Sequence, residues 1–307
     1  MGVLAEMALM AARTRADVLL AGHLNALPPL FAATPPPPKA VMVYGSELWA
    51  RRTRLLTRLL GRRVDRAMAI SRFTAREAAR AGVRPNRIVV TPCGATEPGA
   101  PERALQTVEA LGLVRDGRAV PFFLTVSRLD EPHKGHDVFL RALPALRERH
   151  PDLEYVIAGQ GALESELSLL ADRLGVGQAV RMLGSIDEAT KGALLSACRA
   201  FVMVSRESRV PALFEGFGIA YLEAALAGRP SLAGASGGVA DAVVHEETGL
   251  LIDPLSVSAI TAAAMRLLDD PQLADSLGER ARVRAQRDFT WDAAIGRMER
   301  CLESMLP

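Results

Sequence analysis

The chain has 307 residues, 49% of them hydrophobic and 23% charged, with a formal net charge of +2 at pH 7. That length and composition describe a globular protein of one large or two ordinary domains and exclude a wholly disordered chain. Three scattered cysteines, Cys93, Cys198 and Cys301, exclude a disulfide framework or a thiolate metal cage, and the longest apolar runs fall well short of the roughly 20 residues of a spanning helix. A reducing, cytoplasmic setting is the expectation. No basic stretch precedes an apolar run within Met1–Met10, so a signal peptide is not expected.

The small net charge conceals an asymmetry. Residues 1–117 contain 17 Lys+Arg and 9 Asp+Glu, whereas the remainder contains 20 and 26. Seven arginines lie between Arg51 and Arg66, against one acid, Asp65. Leu55, Leu56, Leu59 and Leu60 fall between them at helical spacing, so 51–66 reads as a basic amphipathic helix. Such a helix either packs on a domain core with a charged outer face or meets an anionic membrane surface or lipid acceptor. A nucleic-acid partner is not expected: no recognised motif accompanies the patch, and the second half is acidic.

Residues 2–15 open the chain as a helix. ADVLLAG (16–22) follows as a short apolar strand, with His23 and Asn25 in the loop after it. Prolines 28, 29 and 35–38 break any helix there. AVMVYG (40–45) is a second strand, the basic helix follows, and AMAISRFT (67–74) is a third strand entering a helix. RIVVTPCG (87–94) is a fourth. Residues 95–118 carry a short helix and loops and form the candidate linker. The second half begins with the strand PFFLTVSRL (121–129), then a helix that stops before Pro151, then the strand LEYVIAG (153–159), with Gly159-Gln160-Gly161 opening the next helix. AVRMLG, AFVMVS, PSLAG and GLLID are four further strands separated by helices, and a helix ends the chain.

Short strands alternating with longer helices predict parallel sheets covered on both faces, hence an α/β protein of two Rossmann-like, doubly wound domains. A ligand is then expected where strands end at their carboxyl edges. The first domain reads as incomplete, because the chain opens with a helix and no Gly-rich turn precedes ADVLLAG. The divisions are 1–117, 118–288 and a terminal helical segment, 289–307.

Three loops carry chemistry. In SRLDEPHKG, Arg128 ends a strand and Lys134 precedes a helix, two cations well placed for a diphosphate or, equally, ordinary surface charge. In EGFGIAYLEAALAGRP, Glu215 and Glu223 stand eight residues apart, and Gly216 and Gly218 flank Phe217 at a helix start, where backbone N–H groups approach a ligand. A helix-surface Glu223 that is merely solvated is the plainer alternative. GASGGVADAV places paired glycines before another helix. These loops follow different strands of one domain, the usual construction of a site in this architecture.

The stretch SRLDEPHKG … VIAGQG … FEGFGIAYLEAALAGRPSLAGASGGVADAVVHEETGLLIDP resembles the retaining nucleotide-sugar glycosyltransferases that include the phosphatidylinositol mannosyltransferases. The similarity covers nearly all of 120–307, and AGHLN and VYGSELW resemble the family's acceptor-domain strands more weakly. The resemblance implies two domains facing a cleft (the GT-B fold), with FTWDAA (289–294) entering a helix that crosses back to the first. It implies that Arg128 and Lys134 grip the donor diphosphate. Glu215 and the backbone of Gly216, Phe217 and Gly218 would touch the transferred hexose, and Glu223 the ribose. Gly184 to Asp187, with Ile186, would lie near the base. Arg128, Lys134 and Glu215 would thus surround the reacting centre. It further implies a UDP- or GDP-sugar donor, no cofactor and no metal, transfer with retention, and a lipid-linked or polysaccharide-precursor acceptor.

Two departures bear on turnover. The family's Gly-rich loop in the first strand–helix turn has no counterpart here, and Tyr44 stands where a histidine usually ends the strand. His23 and Tyr44 are the acceptor-side candidates. A catalytically impaired nucleotide-sugar-binding protein and a nucleotide-sugar epimerase are the alternatives to a transferase.

Overall fold

The computed structural model describes residues 3–13, 15–33, 36–49, 51–99, 101–115, 117–209 and 212–306. The first domain is a parallel sheet of β1 (Leu19–Ala21), β2 (Lys39–Val43), β3 (Arg66–Ala69) and β4 (Ile88–Val90), paired in sequence order. Ala40 and Val41 of β2 and Ala67 and Met68 of β3 are wholly buried, as strands covered on both faces require. Helices α1 (Val3–Arg13), α2 (Arg51–Leu60) and α3 (Arg72–Ala81) belong to this half. Ser71 caps α3 by accepting a hydrogen bond from the Thr74 amide, so α3 begins two residues earlier than the sequence pattern predicts. Gly82 closes the helix in the left-handed conformation.

The stretch expected as a linker is structured. After α4 (Ala104–Ala110), a short hairpin joins β5 (Val114–Arg115) to β6 (Arg118–Ala119). Val108, Leu113 and Val120 are buried in one cluster with Leu194 and Leu195 of the second domain. Arg181 adds polar ties, donating to the carbonyls of Leu111 and Gly112 while pairing with the fully buried Glu154. Residues 104–120 therefore pack on the second domain instead of forming a free tether.

The second domain is a six-stranded parallel sheet. Its strands are β7 (Phe122–Val126), β8 (Glu154–Ala158), β9 (Val180–Met182), β10 (Ala200–Met203), β13 (Ser231–Gly234) and β14 (Gly249–Ile252), in the order β14-β13-β10-β7-β8-β9. A minor hairpin, β11 (Ser208–Arg209) with β12 (Ala212–Leu213), leaves the body of the sheet. Helices α5 (His136–Arg149), α6 (Glu164–Arg173), α7 (Glu188–Ala197), α8 (Ile219–Leu226), α9 (Val239–Ala242), α10 (Val257–Asp269) and α11 (Pro271–Asp288) complete the domain. The chain winds outward in one direction through β7, β8 and β9, then restarts at β10 beside β7 and winds the other way. The crevice at the carboxyl ends of β7 and β10 is thus the topological switch point, where doubly wound sheets bind ligands.

Gly159 and Gly161 do not open a helix, since α6 starts only at Glu164. They lie against the backbone of Ser127 and of Leu129–Asp130, where an added Cβ would stand 1.8 Å from the Ser127 carbonyl oxygen. Their absent side chains let the loop after β8 press on the loop after β7.

The two domains face one another across a cleft and touch at one side of it. Phe214 packs on Trp49 and Phe73 with ring centroids 4.3 and 4.9 Å away. Arg72 pairs with Asp241, and Gly216 lies against the Tyr44 carbonyl. Helix α12 (Trp291–Glu303) begins beside the end of the first sheet: the Trp291 indole donates to Thr96, and Phe289 accepts from the Ala95 amide.

Candidate functional site

At the switch point, β7 delivers Ser127 and Arg128, and the next turn returns Lys134 to the same place. That turn is a single 3-10 coil, Pro132–Lys134, closed by Gly135 at φ 80°. A Cβ on Gly135 would stand 2.2 Å from the Val204 carbonyl, so the turn sits directly on the end of β10. Lys134 Nζ donates to Glu215 Oε2 at 2.7 Å and lies 3.7 Å from Glu131. Arg128, whose side chain is 74% exposed, pairs with Glu131. Arg128, Lys134 and Glu215 line one pocket of about 110 Å³, with Gly218 at its wall.

Glu215 owes its position to stacked loops. Its carbonyl accepts from the Gly238 amide at 2.8 Å, which docks the GASGG turn on the EGFG turn. Phe217 points inward and is buried against Phe289, so its side chain anchors the loop. Gly218 then starts α8 in the left-handed conformation.

A second, larger pocket of about 400 Å³ shares Ser127 and Arg128 and extends along the ends of β8 and β9 to Gln160, Ser185, Ile186 and Lys191. Gly184 is adjacent, its carbonyl accepting from the Gly159 amide. Glu223 joins this region through Lys191, which donates to it at 2.7 Å and pairs with Glu188 at 2.8 Å. Burial opposes the charge on Lys191, but its hydrogen bonds to Glu188 and Glu223 outweigh that and raise its pKa. Lys134 and Lys191 are thus held by carboxylates on either side of Arg128.

Of the residues quoted in the sequence, Arg128, Lys134, Glu215 and Gly218 line the smaller pocket and Arg128 and Ile186 the larger; Gly184, Gly216, Phe217 and Glu223 line neither, and Glu223 reaches the region through Lys191. Glu131, Lys191 and Ser127 were not singled out. Glu131 lies within the quoted motif, but nothing in its spacing reveals that it bridges Arg128 and Lys134. His133 is buried beside the same turn; burial first, then the Lys134 charge, lowers its pKa, so it is neutral. Across the cleft, His23 and Tyr44 stack with centroids 6.2 Å apart. Tyr44 follows β2 and is 39% exposed; burial, then Cys93 and Glu47, raises its phenol pKa, so it remains a hydrogen-bond donor at neutral pH. Among the described residues, no group of three or more His, Cys, Asp or Glu is placed to hold a metal ion.

Two α/β domains facing a cleft, with a site at the switch point of the second sheet, define the GT-B glycosyltransferase architecture. The profile of the glycosyl transferases group 1 family matches residues 118–284, that of Glycosyltransferase Family 4 matches 2–96, and the chain belongs to the glycosyl transferases group 1 family. It is 36% identical over 182 residues to the GDP-mannose-dependent alpha-(1-6)-phosphatidylinositol monomannoside mannosyltransferase of Mycolicibacterium smegmatis, covering 59% of this chain and 47% of that one. It is 34% identical over 224 residues to the D-inositol 3-phosphate glycosyltransferase of Corynebacterium glutamicum, covering 70% and 51% respectively. The chain spans about half the length of the curated relatives it matches. Among solved structures, Anabaena HepE in complex with UDP superposes with a TM-score of 0.84 at 21% identity, over 98% of this chain and 82% of that one. Sucrose-phosphate synthase from Thermosynechococcus elongatus superposes with a TM-score of 0.78, also at 21% identity, over 98% and 77%. At those identities the likeness is one of fold.

Proposed function

We propose that the crevice at the ends of β7 and β10 takes a nucleoside-diphosphate hexose, UDP- or GDP-linked, and that the protein transfers the hexose with retention to a lipid-linked or polysaccharide-precursor acceptor. The observation that carries this reading is the convergence of Arg128, Lys134 and Glu215 on one pocket that opens into the larger one at the ends of β8 and β9. Arg128 and Lys134 neutralise the diphosphate as negative charge grows on it during departure. The Lys134–Glu215 pair gives way to phosphate on one side and a sugar hydroxyl on the other. The backbone from Gly216 to Gly218 flanks the sugar. Glu223, oriented by Lys191, receives the ribose, and Gly184 and Ile186 border the base. The acceptor enters from the first domain, past His23 and Tyr44.

The acceptor's lipid character is supported by α2. Leu55 and Leu59 are 60% and 64% exposed on a helix whose Arg58 is also exposed, with exposed Arg62 and Arg63 directly after it. An exposed leucine pair edged by arginines suits the anionic surface of a bilayer. Among the described residues no helix is long and apolar enough to cross one, so the contact would be peripheral.

The test is titration with UDP- and GDP-sugars, followed by transfer assays with lipid extracts. Donor binding and product formation are expected, and Lys134→Ala is expected to lower kcat about 100-fold. Failure of every nucleotide-sugar to bind would overturn the reading. One observation favours a second reading, a nucleotide-sugar-binding protein without turnover: the residue that follows β2 at the cleft is the neutral phenol Tyr44. Tight donor binding with no product from any acceptor would select it.

A further inference from the structure

Behind the site runs a buried chain of polar side chains that the transfer chemistry does not use. Thr125 of β7 and Tyr155 of β8 are about 1% exposed, and His136, the first residue of α5, is 3% exposed. Tyr155 OH lies 2.8 Å from Thr125 Oγ1 and 3.1 Å from His136 Nδ1, and His136 Nε2 lies 2.9 Å from Ser127 Oγ. The far end is anchored, because Thr125 Oγ1 also contacts the Val202 carbonyl of β10.

Counting donors gives this chain one direction. A carbonyl accepts only, so Thr125 donates to Val202. Thr125 has no second hydrogen and must accept from Tyr155. Tyr155 has then used its only hydrogen, so its oxygen accepts from His136 Nδ1–H. Burial, first among the causes, lowers the His136 pKa to about 4, so the ring is neutral at physiological pH and a ring protonated on Nδ1 leaves Nε2 bare. Ser127 therefore donates to Nε2. The reverse order fails, because with Thr125 donating to Val202 and Tyr155 donating to His136, two oxygens would face each other at 2.8 Å with no hydrogen between them. The remaining protein acceptor near the Ser127 hydroxyl, the Arg128 carbonyl at 3.2 Å, competes for the same hydrogen and does not reverse the result.

Ser127 borders both pockets. We infer that the Thr125–Tyr155–His136 relay fixes Ser127 as a hydrogen-bond acceptor toward the ligand, so that Ser127 recognises a sugar hydroxyl of the donor and not one of its phosphate oxygens. Ser127 is then a specificity-determining residue of the site, and Thr125, Tyr155 and His136 are positioning residues acting through it. The inference rests on the donor-site reading and deepens it. The hydroxyl belongs to either the ribose or the hexose, since Ser127 stands where the two pockets meet. A phosphate oxygen, which only accepts, would face a lone pair there and be disfavoured.

The test compares the unmodified protein with Ser127→Ala and Tyr155→Phe in titrations against three sets of ligands. One is UDP and GDP with 2′- or 3′-fluorine in place of the ribose hydroxyl. Another is UDP- or GDP-hexoses with single hexose hydroxyls replaced by fluorine, and the last is inorganic pyrophosphate. Fluorine keeps the size of the group and removes its hydrogen. One fluorinated position is expected to weaken binding to the unmodified protein about five- to tenfold and to cause no further loss in Ser127→Ala. The sensitive ring identifies the sugar. Tyr155→Phe, which frees the imidazole to change tautomer, is expected to reduce the same discrimination while leaving pyrophosphate binding unchanged. Nitrogen-15 NMR of His136 is expected to show a protonated Nδ1 and a bare Nε2. An Nε2-protonated ring, or an equal loss in Ser127→Ala for every ligand including pyrophosphate, would overturn the inference. Unaltered nucleotide-sugar binding in Ser127→Ala would overturn it while leaving the donor site standing. Absence of any nucleotide-sugar binding to the unmodified protein would remove both.

Discussion

Two residues behind the switch-point pocket, His136 and Gly135, carry consequences measurable without any substrate. His136 is neutral because it is buried between Ser127 and Tyr155; the nearby Asp137 charge raises its pKa and the Lys134 charge lowers it, but burial dominates and leaves it at about 4. An unfolded histidine titrates near 6.5, so as pH falls below that value the unfolded chain takes up the proton first. The His136 contribution is therefore complete above about pH 6.5 and lost as pH falls toward 4, amounting to about 3 kcal/mol. Urea titrations between pH 7 and 4 are expected to show a steeper loss for the unmodified protein than for His136→Gln. Gly135 makes a different demand. At φ 80° with the Val204 carbonyl in the path of any Cβ, Gly135→Ala is expected to destabilise the fold by about 3 kcal/mol in denaturant unfolding. It should also weaken donor binding, because Lys134 moves with the turn. The sequence marked Lys134 and Gly135 as part of a motif. It could not mark His136 as buried, because a histidine opening a helix is more often at the surface.

The basic helix shows how far periodicity reaches. The alternation of arginine and leucine predicts a helix over 51–66; the structure ends it at Leu60, with a 3-10 turn at Gly61–Arg63 and β3 from Arg66, and leaves Leu55 and Leu59 exposed. Thr57 is fully buried, while the leucine pair faces outward. Side chains of residues 51–54 and Leu56 lie outside the described residues. Leu55→Asp combined with Leu59→Asp is expected to abolish sedimentation with phosphatidylserine or phosphatidylglycerol vesicles. Thermal stability should shift by less than about 0.5 kcal/mol, because both positions are already in water. Absence of sedimentation of the unmodified protein with such vesicles would assign the helix to a purely solvated face. The stretch from 95 to 118 teaches the converse. Its short helix and glycines read as a connector, and only its packing on α7 and Arg181 shows that it belongs to the second domain's core.

The junction between the domains joins an aromatic cluster to a buried core that runs across it, from Met42, Met68 and Ile70 to Phe217 and Phe289. Phe214 leaves the second domain to fill the space between Trp49 and Phe73, and the Arg72–Asp241 pair lies in the same interface. A buried phenylalanine removed from such a place costs about 3–5 kcal/mol, with the aromatic pairing included. Phe214→Ala is expected to split one calorimetric unfolding transition into two, the domains melting separately. A single transition at the original temperature would show that α12 and its neighbours suffice to couple them. Phe214 was quoted in the sequence only as the residue before the Glu215 motif.

The sequence by itself determined the architecture and marked the loops that meet at the switch point. Strand and helix periods are local, and a parallel sheet covered on both faces leaves an apolar pattern that can be read in one dimension. The charges after β7 were legible for a related reason: Arg128 and Lys134 lie six positions apart in one short loop. Only the tertiary structure decided which carboxylate meets which cation, that Glu223 is oriented by Lys191, and that the connector is part of the core. It alone decided that Ser127 is tied through His136 to Tyr155 and Thr125. Those outcomes depend on distances between segments 30 to 80 residues apart in the chain, and on burial, which sets protonation and the direction of hydrogen bonds and has no signature in the order of residues.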